Sequence, residues 1–172
     1  ENFFLSNINI SSIFIISLYL YLISNKGKII WKKQLQGPVL GKIEQIDIYR
    51  NGRLQLVCRS ENGFVLQAFS GDQGHTWTPL EPSSLVNPNS GIDAVTLKDG
   101  RHIIVYNPVK RGRSPISVAI SSDGKTWKDI ATLENEPGEE FSYPAVIQTS
   151  DSKVHITYTW KRKKIKHVIL SL

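Results

Sequence analysis

The chain of 172 residues contains no methionine and a single cysteine, Cys58. One thiol cannot form an internal disulfide, so a cystine-stapled scaffold is excluded. The four histidines, His75, His102, His155 and His167, are scattered along the chain. With Cys58 they show none of the ligand spacings of a zinc site, and no metal or cofactor is expected. There is no phosphate-cradling glycine loop and no serine nucleophile elbow. No amphipathic helical pattern runs through the body of the chain. Charge is missing from one stretch altogether: between Asn2 and Asn25 no residue is ionisable by Asp, Glu, Lys or Arg.

That uncharged stretch centres on IFIISLYLYLI, Ile13 to Ile23, and is followed by Lys26, Lys28, Lys32 and Lys33. A membrane span needs about 20 mostly apolar residues, more than this centre supplies. A cleaved leader has a basic start and small residues at its cleavage site, and neither stands here. Residues 1–40 therefore read as an apolar segment and linker, with three readings open. One is a marginal transmembrane helix across residues 3–24, which would anchor the protein in a membrane or take it to the secretory route. One is a buried part of the fold. The third, favoured by the narrow Phe, Leu, Ile, Asn, Ser and Tyr vocabulary, is sequence not native to the protein.

What is present is enough hydrophobic material for a core, 40% of residues, and an excess of positive charge, +6. Disorder is therefore not expected. Much of the charge lies in WKRKKIKH, Trp160 to His167. Stacking aromatics are not interleaved among its basic residues as single-strand binders require. The run reads as a solvated turn and edge strand, where lysine discourages edge pairing, and no nucleic-acid partner is expected.

From residue 41 to 172 short alternating runs are separated by turn pairs. Ile43–Tyr49 meets Arg53–Arg59 across Asn51-Gly52, and Phe64–Ser70 follows Asn62-Gly63. Such pairs supply the positive φ that tight hairpins need. The module recurs as Ile92–Leu97, Arg101–Asn107 and Ile116–Ser121, then as Tyr143–Thr149, Lys153–Thr159 and Ile165–Leu170. A period of about 40 to 50 residues with four short strands per unit predicts propeller blades. The expected fold is all-β, about three blades of four-stranded antiparallel sheet from a propeller. The apolar N-terminal segment stands apart from it, with a helix one form open to it. Propellers close with about 4 to 8 blades, so three blades and no starting methionine lead to the expectation that this chain is part of a longer one.

Two segments carry a motif. SGDQGHTW supplies Ser70, Asp72, Gly74, Thr76 and Trp77; SSDGKTW repeats it as Ser121, Asp123, Gly124, Thr126 and Trp127, one residue shorter between Asp and Gly. The pattern is the Asp-box. Physically it reads as a hairpin turn in which Asp accepts backbone N–H groups and Gly takes an unusual φ. Catalytic use of Asp72 and Asp123 would need both to converge on one pocket, which repeated turns round a rim do not do.

With NPNSGIDAVTLKDGR, EFSYPAVIQTSD and VHITYTWKRKKIKHV, the region from about Gly41 to Leu170 resembles the sialidase-like, BNR-repeat (Asp-box) propellers, in their C-terminal half only. The resemblance implies a six-bladed propeller, of which this chain would be about three blades, with an exo-glycosidase pocket for an anionic sugar. In sialidases a Tyr activated by a Glu is the nucleophile, an Asp is the acid/base and three Arg hold the substrate carboxylate. A neutral phenol meets less repulsion from an anionic sugar than a carboxylate would. Guanidinium forks suit a carboxylate well.

Carried over by position, the resemblance implies Tyr143 as nucleophile and Glu44, one residue off register, as its activator. Arg59 and Arg113 would bind the carboxylate, with Arg111 as the alternative to Arg113. Asn89, Ser90 and Asp93, on the loop NPNSGID, would line the pocket or satisfy a turn. Pro144 stands where sialidases usually have serine, and Thr159 where many have a glutamate. The acid/base Asp and first Arg have no counterpart here. The expectation is part of a sialidase-like hydrolase, little active as this chain alone, with a carbohydrate as partner. The alternatives are a noncatalytic carbohydrate-binding propeller and a polysaccharide lyase on the same fold.

Overall fold

The computed structural model describes residues 10–16, 19–24, 28–34, 43–48, 53–72 and 74–172. The Asn51-Gly52 turn lies outside the described residues. Four antiparallel sheets succeed one another along the chain. The first holds β1 (Ile10–Ile16), β2 (Tyr19–Ser24) and β3 (Ile29–Gln34) in that order. The second is the meander β4 (Ile43–Ile48), β5 (Leu54–Cys58), β6 (Phe64–Ser70) and β7 (Glu81–Val86). The third runs β8 (Asp93–Thr96), β9 (His102–Tyr106), β10 (Ile116–Ser121) and β11 (Lys128–Glu134). The last has β12 (Phe141–Gln148), β13 (Val154–Trp160) and β14 (Lys164–Leu170).

The repeating three-strand module is matched strand for strand. The fourth strands, β7 and β11, were not located by alternation, because Pro82 and the polar run Lys128–Asp129 blur the pattern. The helix left open for the N-terminal segment is corrected: its described residues pair as strands, Phe14 with Tyr21 and Leu22 with Trp31. Isoleucine and tyrosine favour the pleated surface, and Tyr19-Leu20-Tyr21-Leu22 alternates with the period of a strand rather than a helix. Among the described residues no helix is long and apolar enough to cross a membrane.

The third sheet is sandwiched, and its sequence says why. His102-Ile103-Ile104-Val105-Tyr106 is buried throughout. Successive strand side chains point to opposite faces. Ile103 and Val105 therefore pack with Phe141, Val146, Ile156 and Tyr158 of the last sheet. Ile104 and Tyr106 pack with Val57, Val65 and Leu85 of the second. Fully burying one such side chain stabilises by about 1.5–3 kcal/mol, so these two layers hold neighbouring sheets face to face. The first strands of successive sheets lie side by side, β4 against β8 and β8 against β12.

Antiparallel alternation then sorts the connections into two ends. The turns after β6 and β10 carry the two Asp-boxes. The opposite end gathers Arg59 just after β5, the segment entering β8, Arg113 ahead of β10 and the start of β12.

Candidate functional site

Tyr143 stands at this second end on a bulge. Ser142 pairs with Thr159 and Ala145 with Thr157, so Tyr143 and Pro144 together face Tyr158. Pro144 has no N–H to give the ladder, which is why the extra residue is tolerated here. Tyr143 takes φ 53, in the left-handed region. A bulky residue rarely holds that conformation unless its surroundings impose it. The bulge turns the side chain outward, leaving it 59% exposed. Gly91 explains part of the fit: a Cβ there would lie 3.3 Å from Tyr143 Cδ1.

Arg113 lies over the phenol, its Cζ 5.0 Å from the ring centroid. Its Nη1 is 3.2 Å from Glu140 Oε1, while Arg162 Nε is 2.7 Å from Glu140 Oε2. The Ser142 hydroxyl also donates to Glu140 Oε1, at 3.2 Å. The hydrogen bond from Arg162, and the charges of Arg113 and Arg162, hold the Glu140 carboxyl below its ordinary range against a desolvation cost. The Tyr143 phenol is likewise held below its ordinary value. Arg113 acts first, as donor and as charge; Arg59 adds its charge, and Glu140 opposes. A phenol so surrounded ionises more readily, the condition a tyrosine nucleophile needs.

The frame behind these groups is a buried polar network. Asn107, fully buried, gives its Nδ2 to the carbonyls of Arg113 at 3.0 Å, Pro115 at 2.8 Å and Phe141 at 3.0 Å. Its Oδ1 accepts from Ser90 Oγ at 2.7 Å. Ser90 N in turn donates to Asn87 Oδ1 at 3.0 Å. One amide therefore ties the backbones bearing Arg113 and Tyr143 to the loop bearing Asn89 and Gly91. Asn89 sits at φ 61, and its Oδ1 is buried without a hydrogen-bond partner. Asp93 accepts from Val146 N at 2.7 Å, anchoring β12 just past the bulge, and burial pushes its carboxyl up.

Tyr143 and Arg113 are thus in contact, the charge of Arg59 acts on the phenol, and Asn89 stands on the adjoining loop. Arg111 is exposed. Glu44 falls in β4, and its side chain lies outside the described residues. Glu140, Arg162 and Asn107 were missed. The doublet Glu139-Glu140 directly before FSYP was the available signal for Glu140. Nothing local marks Asn107, whose partners lie up to 34 residues away. Among the described residues no group of three or more His, Cys, Asp or Glu side chains could hold a metal ion.

The two Asp-boxes face their own turns. Asp72 Oδ1 accepts from Thr76 N at 2.7 Å and Ser70 Oγ at 2.9 Å, and Oδ2 from Thr76 Oγ1 at 2.6 Å. Asp123 Oδ1 accepts from Thr126 N at 2.7 Å and Lys125 N at 2.8 Å. Trp77 and Trp127 each donate Nε1 to the box glycine's carbonyl, at 3.0 and 3.1 Å. Gly74 and Gly124 take φ 87 and 71. The second box also joins the sheets, since buried Gln55 donates to Gly124 O at 2.7 Å.

A family model described as a BNR repeat-like domain matches residues 17–156. The chain belongs to the BNR repeat-like family. The match begins well before Gly41, where the motif resemblance starts. Solved structures agree on the fold of this BNR repeat-like chain. The intramolecular trans-sialidase from Ruminococcus gnavus superposes with TM-score 0.72 at 16% identity, over 90% of this chain and 38% of its own. NanB sialidase from Streptococcus pneumoniae gives 0.72 at 13%, over 93% and 28%. The GH93 alpha-L-arabinofuranosidase of Fusarium graminearum gives 0.55 at 16%, over 78% and 48%. The chain thus spans well under half the length of the two sialidases. No curated protein matched.

Proposed function

We propose that the chain forms part of a sialidase-like propeller, about three blades of it, whose Tyr143 end binds an anionic sugar. In the full assembly Tyr143 would attack the anomeric carbon, and Arg113 and Arg59 would hold the sugar's carboxylate. Asn89, with a buried acceptor awaiting a donor, would take a sugar hydroxyl; an unsatisfied buried acceptor is costly, so a ligand donor there strengthens binding. The observation that carries this reading is the outward-turned Tyr143 on its strained bulge, with Arg113 over the ring.

A second reading, a propeller that binds a glycan without cleaving it, has its own support. Glu140 is already engaged by Arg113, Arg162 and Ser142 rather than positioned to take the phenol's proton. The chain by itself is therefore expected to bind and not to turn over.

Calorimetric titration with N-acetylneuraminic acid, galacturonic acid and neutral galactose tests both readings. The two acids should bind and galactose should not, with binding lost in Arg113→Gln. Equal affinity for galactose would sink the anionic-sugar reading. Hydrolysis of a fluorogenic sialoside, abolished by Tyr143→Phe, would overturn the expectation of binding alone.

A further inference from the structure

The basic turn between β13 and β14 is not uniform. Lys161 is 13% exposed and pairs with both Glu136 and Glu139, at 2.5 and 3.4 Å. The Lys161 and Lys164 ammonium groups each lie 4.6 Å from the Trp160 ring centroid. These two cations are fastened to the fold. Arg162, between them in sequence, is 73% exposed and meets Glu140 through Nε. The exposed side chain carries the guanidinium donor fork that suits a carboxylate.

The backbone here is also held against its preference. Lys161 and Arg162 take φ 51 and 54, and Lys163 N closes the turn on Trp160 O at 3.0 Å. Two successive positive φ values are the natural place for Asn-Gly, not for two long side chains. The conformation presents Arg162 to the carboxylate that also holds Arg113. One Glu140 side chain therefore joins two guanidiniums, Arg113 over the Tyr143 ring and the more exposed Arg162.

We propose that Arg162 is a second anion-binding position, taking the carboxylate of the next acidic sugar when Arg113 and Arg59 hold the first. The preferred ligand is then an oligosaccharide with acidic units in succession rather than a single acidic sugar. The inference rests on the anionic-sugar reading above.

The test compares N-acetylneuraminic acid with its α2,8-linked dimer, and galacturonic acid with its α1,4-linked dimer, by titration at low salt. A partly exposed ion pair contributes modestly, so one dimer should bind about two- to fivefold more tightly than its monomer. Arg162→Gln should bring that ratio to about one, while Lys163→Gln, the same charge loss on the same turn, should preserve it. Arg162→Lys should restore part of the preference. Equal affinity for monomer and dimer in the unaltered protein would overturn the inference and leave the anionic-sugar reading standing. An equal loss of preference in Lys163→Gln would assign it to the basic field of the turn and overturn the role of Arg162. Failure of all four sugars to bind would remove both.

Discussion

The carboxylates of Asp123 and Glu140 are both ringed by donors, but the donors come from different reaches of chain. Around Asp123 they lie two to three residues away: Ser121, Lys125 and Thr126. Around Glu140 the cation Arg113 lies 27 residues away, and Arg162 belongs to another hairpin. The first arrangement is a closed turn that needs nothing further. The second leaves guanidinium surface and an exposed phenol facing solvent. A carboxylate that satisfies its own turn shapes the blade; one shared between distant cations sets a spacing that a ligand can read.

The largest separation between the two ends should come from Asn107→Leu. Leucine takes the side-chain donor from the Pro115 and Phe141 carbonyls and from the Arg113 carbonyl, which keeps only the Phe141 N–H, and leaves Ser90 without its acceptor. Stability should fall by about 3 kcal/mol, read from urea unfolding. The loss should concentrate at the Tyr143 end: amide exchange should quicken around residues 87–93 and 141–146 more than around 121–127. Uniform acceleration along the chain would mean that Asn107 does not separate the two ends.

A smaller effect is expected at the box end, and it depends on pH. Asp72 is held at about 2 chiefly by its bonds from Thr76, and Asp123 at about 2 chiefly by the Thr126 amide, both down from 3.8. A depressed carboxyl contributes stability that is fully present above its unfolded value and lost as pH falls through the folded one. Unfolding midpoints should therefore drop between about pH 4 and pH 2. Asp123→Asn should start lower and show a shallower acid limb. An unchanged slope in that variant would remove Asp123 from the acid transition.

The same difference in reach explains what could be read without coordinates. The boxes, the strand alternation and the turn pairs all have periods of a few residues, so Ser70–Trp77 and Ser121–Trp127 declare their turns locally. Tyr143, Arg59 and Arg113 became candidates because the family resemblance could be carried over along the blade register, a longer but still regular ruler. Glu140 and Arg162 escaped because their pairing needs the β12–β13–β14 sheet folded back on itself. Asn107 escaped because an asparagine ending a strand looks like any turn residue. The helix left open for the N-terminal segment gave way to strands for another reason: an uncharged apolar run suits helix and strand alike until alternation is weighed over length.

Tyr143 gives the finest measure of the comparison, because two other tyrosines of the last sheets sit in the opposite field. Tyr106 donates to Asp129 at 2.9 Å and Tyr158 to Glu134 at 2.7 Å. For both, burial and the neighbouring carboxylate push the phenol well above its ordinary value. Tyr143, exposed beside Arg113, moves the other way. Ultraviolet titration should therefore show a phenol ionising below about pH 10 that disappears in Tyr143→Phe, with Tyr106 and Tyr158 ionising later. Arg113→Gln should move the early step back up, since the first cause of the shift is gone. Glu140→Gln should push it further down if Arg113 keeps its place over the ring, because the one opposing charge is removed. A rise in Glu140→Gln would instead show that Glu140 acts mainly by positioning Arg113, and would make that carboxylate the element on which the open end depends.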